Sequence, residues 1–426
     1  MSYRQATATL QPIRPEVARA SYEASNPDQE SVRPLFVELA DLLLQRAGFT
    51  KDPQAAQTYL LTARDAIEAF KAVELREYFK DECVDALQAR ITKLDTLSPT
   101  TAVIYPILFA DRLDILVSLP TGMTRISVQV PAIAMAREVL AFRRTVEKRT
   151  TREYLPHAQQ LYDWLVRPIE SELTRVHITT LVFVPDGALR TIPLAALHDG
   201  SGFLIQKFAV VLTPGITLTD PHPLNREKIR FLATGLTKGV QGYPPLPYVE
   251  EEMDSIHSLY SSDQLLNQDF LAPTLERELR AGRYGILHIA THGKFSTNVN
   301  DSFLLTFDGR LTMSKLEQLI GLFHFRDDPL ELLTLSACQT GIGDDRAALG
   351  LAGVAIKAGA RSALATLWFI NDEASAALMA EFYRELRNPS LSKAVALQHA
   401  QQKLLSDRVY EHPAYWSPFL LLNNWL

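Results

Sequence analysis

Two stretches of this 426-residue chain carry reactive side chains at the ends of apolar runs. Ile286-Leu287-His288-Ile289-Ala290-Thr291-His292-Gly293 ends on an imidazole and a glycine. Leu332-Leu333-Thr334-Leu335-Ser336-Ala337-Cys338-Gln339-Thr340-Gly341 leads to a thiol and then a glycine. A short apolar run closed by turn residues reads as a strand buried on both faces, as in a parallel α/β sheet. Open sheets of this class bind ligands beyond the carboxyl ends of their strands, which is where His292 and Cys338 stand. An imidazole beside a thiol can take its proton and leave a thiolate nucleophile at neutral pH. Backbone N–H groups would stabilise the resulting oxyanion. The candidates are Gly293, whose missing side chain lets the backbone come close, and Cys338 itself. A dyad of this kind needs no metal or cofactor, and no orienting carboxylate if packing or a backbone carbonyl holds the ring.

Other titratable groups fit this chemistry less well. His288 lies among the apolar residues of its own strand and reads as a satisfied core histidine. His257, His324, His399 and His412 have no paired thiol by sequence and read as structural or surface residues. The only other cysteine, Cys83, stands in a helical stretch with no base near it in sequence and reads as a structural thiol.

The elements that must position the pair follow from patterning. Leu35, Leu39, Leu42 and Leu43 form an amphipathic stripe within a helix over 34–47, and a second helix runs from Pro53 to about Phe79. The two helices suit a repeat of the tetratricopeptide kind, which suggests further repeats upstream of Met1. Three β-rich runs follow over 102–130 as an antiparallel meander, then helices over 132–148 and 151–166 and strands over 180–184 and 208–212. From about Arg230 strands and helices alternate, the pattern of a mostly parallel sheet covered on both faces. Expected strands there are 230–235, the two reactive runs, and 362–370. Expected helices are 250–260, 274–281, one from Thr312, 347–358, 372–386 and 392–405.

Composition narrows the class. A net charge of -6 argues against nucleic acid as a direct partner, because phosphate binding wants a basic surface. Two cysteines make no disulfide framework, which suits a reducing compartment. The N-terminus has no signal-peptide core and no apolar run reaches bilayer length, so a cytoplasmic protein without a membrane partner is expected.

Several blocks together resemble the CHAT domain: His-Ile-Ala-Thr-His-Gly at 288–293, Leu-Ser-Ala-Cys-Gln-Thr-Gly at 335–341, Gly-Leu-Ala-Gly at 350–353, Ala-Gly-Ala-Arg-Ser at 358–362 and Ala-Thr-Leu-Trp at 365–368. Pro-Asp-Gly-Ala-Leu-Arg-Thr-Ile-Pro at 185–193 and Tyr-Trp-Ser-Pro-Phe at 415–419 extend the resemblance over about Thr100 to Leu426. CHAT domains are caspase-like cysteine peptidases related to separase, often found behind tetratricopeptide repeats. The resemblance implies a caspase-like α/β/α sandwich, with His292 as general base and acid and Cys338 as nucleophile. It implies a helical segment over 1–97, a degenerate half over 98–228 and an active half over 229–426. The stretch Leu367 to Asp372 resembles the separase segment whose acidic residue faces a basic P1 side chain. This would place Asp372 in the S1 pocket, though Asp372 also stands where it could cap the helix that follows. Asp301, Asp344 and Asp345 are weaker S1 candidates and read as loop charge.

The sequence therefore points to a peptidase that cleaves a protein substrate after a basic residue, with a regulatory protein on the helical segment. The rivals are an idle scaffold that only transmits state, and a thiol acyltransferase.

Overall fold

Long apolar runs flanked by helices assemble into one mixed sheet. The computed structural model describes residues 28–79, 98–219, 222–226, 229–296, 298–320, 330–336, 338–340, 344–357 and 359–426. Cys83 and His324 lie outside these residues. The strands in chain order are β1 (Thr101–Leu108), β2 (Leu113–Leu119), β3 (Gly122–Val128), β4 (Thr180–Phe183), β5 (Ala209–Leu212), β6 (Phe231–Gly235), β7 (Ser262–Leu266) and β8 (Ile286–Ala290). Then come β9 (Gly293–Phe295), β10 (Phe303–Leu305), β11 (Arg310–Thr312), β12 (Leu330–Leu335), β13 (Cys338–Thr340), β14 (Ala360–Thr366) and β15 (Phe419–Asn423). Eleven of them pair in the order β3-β2-β1-β4-β5-β15-β14-β12-β8-β6-β7, and the rest make a small sheet β11-β10-β9-β13.

The helices are α1 (Asp28–Phe49), α2 (Pro53–Phe79), α3 (Ala132–Val146), α4 (Tyr154–Leu165), α5 (Glu170–Arg175) and α6 (Val249–Leu259). They continue as α7 (Ala272–Ala281), α8 (Met313–Ile320), α9 (Asp345–Lys357), α10 (Asp372–Leu386), α11 (Lys393–Leu405) and α12 (Pro413–Trp416). The central strands are buried along their whole length, as in β8 and β12, because helices cover both faces.

The direction of pairing divides the sheet. β6, β8, β12 and β14 run parallel to one another. β1, β4, β5 and β15 are also mutually parallel. β15 runs antiparallel to β14, with Ser362 opposite Asn423 and Thr366 opposite Phe419. The two blocks therefore point in opposite directions and are joined along β15. The sequence expectation of two halves meets one continuous sheet, sewn together by the last strand of the chain.

The helical hairpin α1–α2 is fastened to the sheet block of β4 and β5 by buried charges. On one face of α2, Glu68, Lys71 and Glu74 are all buried. Lys71 Nζ lies 2.7 Å from Asp186 Oδ1 and donates to the Pro185 carbonyl at 3.2 Å. Arg190 pairs in fork geometry with both Glu74 oxygens, Nη1 to Oε1 at 2.7 Å. Glu68 accepts the backbone N–H groups of Ile216 and Thr217, each at 3.0 Å. Burial alone would push the Asp186 and Glu74 carboxyls up. The cations outweigh it, Lys71 and Arg190 beside Asp186 and Arg190 first beside Glu74, and hold both below the usual carboxylate range. The motif Pro-Asp-Gly-Ala-Leu-Arg at 185–190 is thus the receptor for α2. None of the described helices is long and apolar enough to cross a membrane.

Candidate active site

His292 stands two residues past the end of β8 and sits between two aromatic rings. Phe369 stacks on it at 5.5 Å with an interplanar angle of 14°, and Tyr243 lies 5.1 Å away on a tilt. The residue is only 6% exposed. Its Nε2 is 2.9 Å from the Pro244 carbonyl oxygen. A carbonyl can only accept, so Nε2 carries the proton and Nδ1 is left with its lone pair. Burial lowers the imidazole pKa from its ordinary value, against a smaller upward pull from the Pro244 carbonyl. At neutral pH the ring is therefore the free base.

The loop that supplies Pro244 is itself held. The Asn267 side chain accepts from the backbone N–H groups of Thr237 and Lys238 at 3.0 and 3.1 Å. Leu236 N–H donates to Ala290 O at 3.1 Å, so this loop packs on the end of the His292 strand. Sequence reasoning named a backbone carbonyl as a possible orienter but did not find this one. The Gly-Tyr-Pro-Pro-Leu-Pro run at 242–247 was its only local signal. Phe369 was missed too, although it directly follows the Ala-Thr-Leu-Trp block. Its segment is pinned by buried Arg143, whose Nη2 donates to Leu367 O at 3.1 Å and whose Nη1 donates to Thr191 O at 2.6 Å, with the guanidinium over the Trp368 ring.

Cys338 opens β13, which runs parallel to β9 with Cys338 as the register partner of Gly293. The backbone therefore brings the thiol-bearing residue beside the residue that follows His292, one strand spacing away. The parent strands β8 and β12 are themselves paired, Leu335 opposite Ile289, which sets this register. Gly293 and Cys338, the two candidate oxyanion donors, thus lie opposite each other across the β9–β13 pair.

Asp372 is the first residue of α10, but it is not its cap. Asn371 is the cap, accepting from Ala374 N–H at 3.0 Å. Asp372 Oδ2 instead accepts the Tyr248 N–H at the head of α6, at 2.7 Å. The helix-cap alternative is corrected accordingly: a side chain that turns toward α6 cannot also close its own helix. Burial raises the Asp372 pKa, and nearby Glu252 adds to the shift. Asp344 does cap a helix, accepting from Ala347 N–H at 2.8 Å. Asp301 is exposed in a short turn, and Asp345 begins α9.

His288 is fully buried, as expected of a core histidine. Its Nδ1 lies 3.0 Å from the Tyr383 hydroxyl, which donates to Thr334 Oγ1 at 2.8 Å. Its Nε2 is 3.0 Å from Glu252 Oε1, near enough to pair as ions though off the line for a hydrogen bond. His257, His399 and His412 each bond a neighbouring side chain or carbonyl away from the dyad. Among the described residues no three His, Cys, Asp or Glu side chains converge on a possible metal position.

The mixed eleven-stranded sheet with its flanking helices is an α/β fold similar to that of separase. Residues 155–424 match the family model described as the CHAT domain, and the chain belongs to that family. The match begins at Leu155, so β1–β3, within the expected extent of the resemblance from about Thr100, lie outside it. Two structures of the Saccharomyces cerevisiae separase–securin complex superpose with TM-scores of 0.55 and 0.52 at 10% identity. They cover 93% and 94% of this chain and 36% and 38% of theirs. The human tetratricopeptide repeat protein 28 is 23% identical over 63% of this chain and 13% of its own length. This chain thus spans a minor part of each of these proteins.

Proposed function

We propose that the protein is a cysteine endopeptidase in which His292 activates Cys338. The observation that carries this reading is the register of Gly293 against Cys338, next to an imidazole whose Nε2–H is taken by the Pro244 carbonyl and whose Nδ1 keeps its lone pair. His292 Nδ1 takes the thiol proton, and the thiolate attacks the scissile carbonyl carbon. The Gly293 and Cys338 N–H groups hold the oxyanion. The imidazolium returns its proton to the leaving amine as the C–N bond breaks, and a thioester remains. Water, deprotonated by His292, then attacks the thioester and frees the acid and the thiol.

Asp372 would receive a basic P1 side chain, since its carboxylate stands at the head of α10 just past Phe369. The substrate would be a protein, and a regulatory protein would act through α1–α2. Securin stands in complex with the structurally similar separase, which supports protein control of this fold. The test is a peptide library with Arg or Lys at P1, run beside Cys338→Ala. Cleavage by the parent and not by the variant supports the peptidase. Cleavage by neither, with a protein partner still bound, supports a scaffold. Acyl transfer to an amine without net hydrolysis supports an acyltransferase.

A further inference from the structure

The buried ions of α2 all face the block of β4 and β5, but Tyr78 faces elsewhere. It lies one residue from the end of α2 and is 4% exposed. Its hydroxyl donates to the Ser296 carbonyl at 2.9 Å. Ser296 directly follows β9, the strand that begins at Gly293, and its own N–H donates to Ser302 Oγ at 3.0 Å. The Ser296 residue is therefore held on both its donor and acceptor sides. On its other side Tyr78 fills the space over Gly350 in α9. A Cβ at 350 would lie 2.2 Å from the tyrosine oxygen and 2.5 Å from Cζ. Inside a helix alanine is ordinarily the better residue, and every nearest atom that would obstruct it here belongs to Tyr78. Leu349, next to it, packs with Ala72, Leu75 and Tyr78 of α2.

One side chain of the helical hairpin thus touches the segment after His292 and the helix that begins at Asp345, seven residues past Cys338. The strands that open those two segments are also paired directly, β9 with β13.

We infer that Tyr78 is a positioning residue through which the helical hairpin holds the His292 and Cys338 segments in register. The inference rests on the dyad reading above and assigns its control to α2. A load that draws the last turn of α2 away withdraws the hydroxyl from Ser296 and the ring from Gly350 together. The buried ions keep the hairpin attached while this happens, so the hairpin signals without leaving.

The experiment uses the full chain with Cys83→Ser, so that Cys338 is its one thiol. Two readouts are taken: alkylation of Cys338 by iodoacetamide from pH 5 to 9, and kcat and KM on an arginyl peptide. Tyr78→Phe keeps the ring and removes only the hydroxyl. Gly350→Ala attacks the same contact from the opposite side. Each should slow alkylation at pH 7 by about tenfold, as expected for loss of one buried hydrogen bond, and lower kcat alike. KM should stay within twofold and the unfolding temperature within a few degrees. Rates within twofold of the parent in both variants, or faster, overturn the inference. A parent that cleaves no peptide but shows these alkylation effects sinks the peptidase and leaves Tyr78 its role. A parent whose thiol reacts no faster than a free cysteine overturns both.

Discussion

His292 donates a hydrogen bond from Nε2–H to the Pro244 carbonyl, and that bond, 2.9 Å long, decides which ring nitrogen can work as a base. The same burial that shields the ring lowers its pKa from the ordinary value of about 6.5. Because the imidazole must be unprotonated to accept from the thiol, kcat/KM should hold on acidification until below pH 6.5. A profile from pH 4.5 to 8 checks this, and an acidic limb at or above 6.5 counts against His292 as the base.

Phe369 is the more removable wall of the ring, being 39% exposed itself. Phe369→Ala lets water reach the imidazole, which weakens the desolvation that keeps the pKa low. The acidic limb should move upward toward 6.5, with kcat lower by about tenfold through lost orientation. An unchanged limb would mean the stacking does not set the environment of the base.

Asp372→Asn leaves a side chain that can still accept from the Tyr248 N–H but removes the charge. KM for peptides with Arg at P1 should rise by about 10- to 100-fold, the scale of a lost charge-assisted hydrogen bond. Peptides with apolar P1 should change little. Equal effects on both would show that the carboxylate positions helices and does not read substrate.

The buried ions between α2 and the 185–190 turn predict a large stability effect. Arg190→Met leaves Glu74 without its fork partner, and removing one member of a buried pair costs roughly 3–5 kcal/mol. Urea unfolding measures it. Glu74→Gln combined with Arg190→Met should recover part of that loss, since the stranded charge is then gone.

Lys393, at the first turn of α11, is fully buried, and burial lowers its pKa from 10.5 to about 7. Glu331 offsets part of this, while Arg361 and Arg226 add to it. Below pH 7 both the folded and unfolded chains carry the proton, and the whole cost of burying the charge applies. Between about 7 and 10.5 the unfolded chain alone binds it, so stability should rise with pH across that window. Lys393→Met should flatten that slope and raise the unfolding temperature at pH 6. Thermal scans at pH 6, 7.5 and 9 distinguish the two chains.

What the sequence made legible follows burial. β8, β12 and β14 stand out because strands covered on both faces must be apolar throughout. β7 was missed because Ser262-Asp263-Gln264 is polar, as an edge strand is expected to be. β9, β10 and β11 have three residues each, too few to display a period. β15 was visible only as the end of a motif block, although it holds the middle of the sheet. In the site, His292 and Cys338 were legible as residue types at strand ends. The Pro244 carbonyl was not, since a main-chain acceptor leaves no mark on composition. Asn371 and Asp372 are adjacent and both suit a helix start, so only geometry separates the cap from the carboxylate that turns away.

β15 also fixes the order in which this molecule can be completed. Its neighbours β5 and β14 end at Leu212 and Thr366, yet neither gains its central partner until residues 419–423 arrive. The pairing with β5 closes a loop of about two hundred residues, whose entropic cost is met before any contact rewards it. A folding chain can therefore build two separate half-sheets, each with an unsealed edge, well before it has one. The seam is the last thing laid, and residues far from the dyad in sequence decide when the two halves begin to behave as a single body.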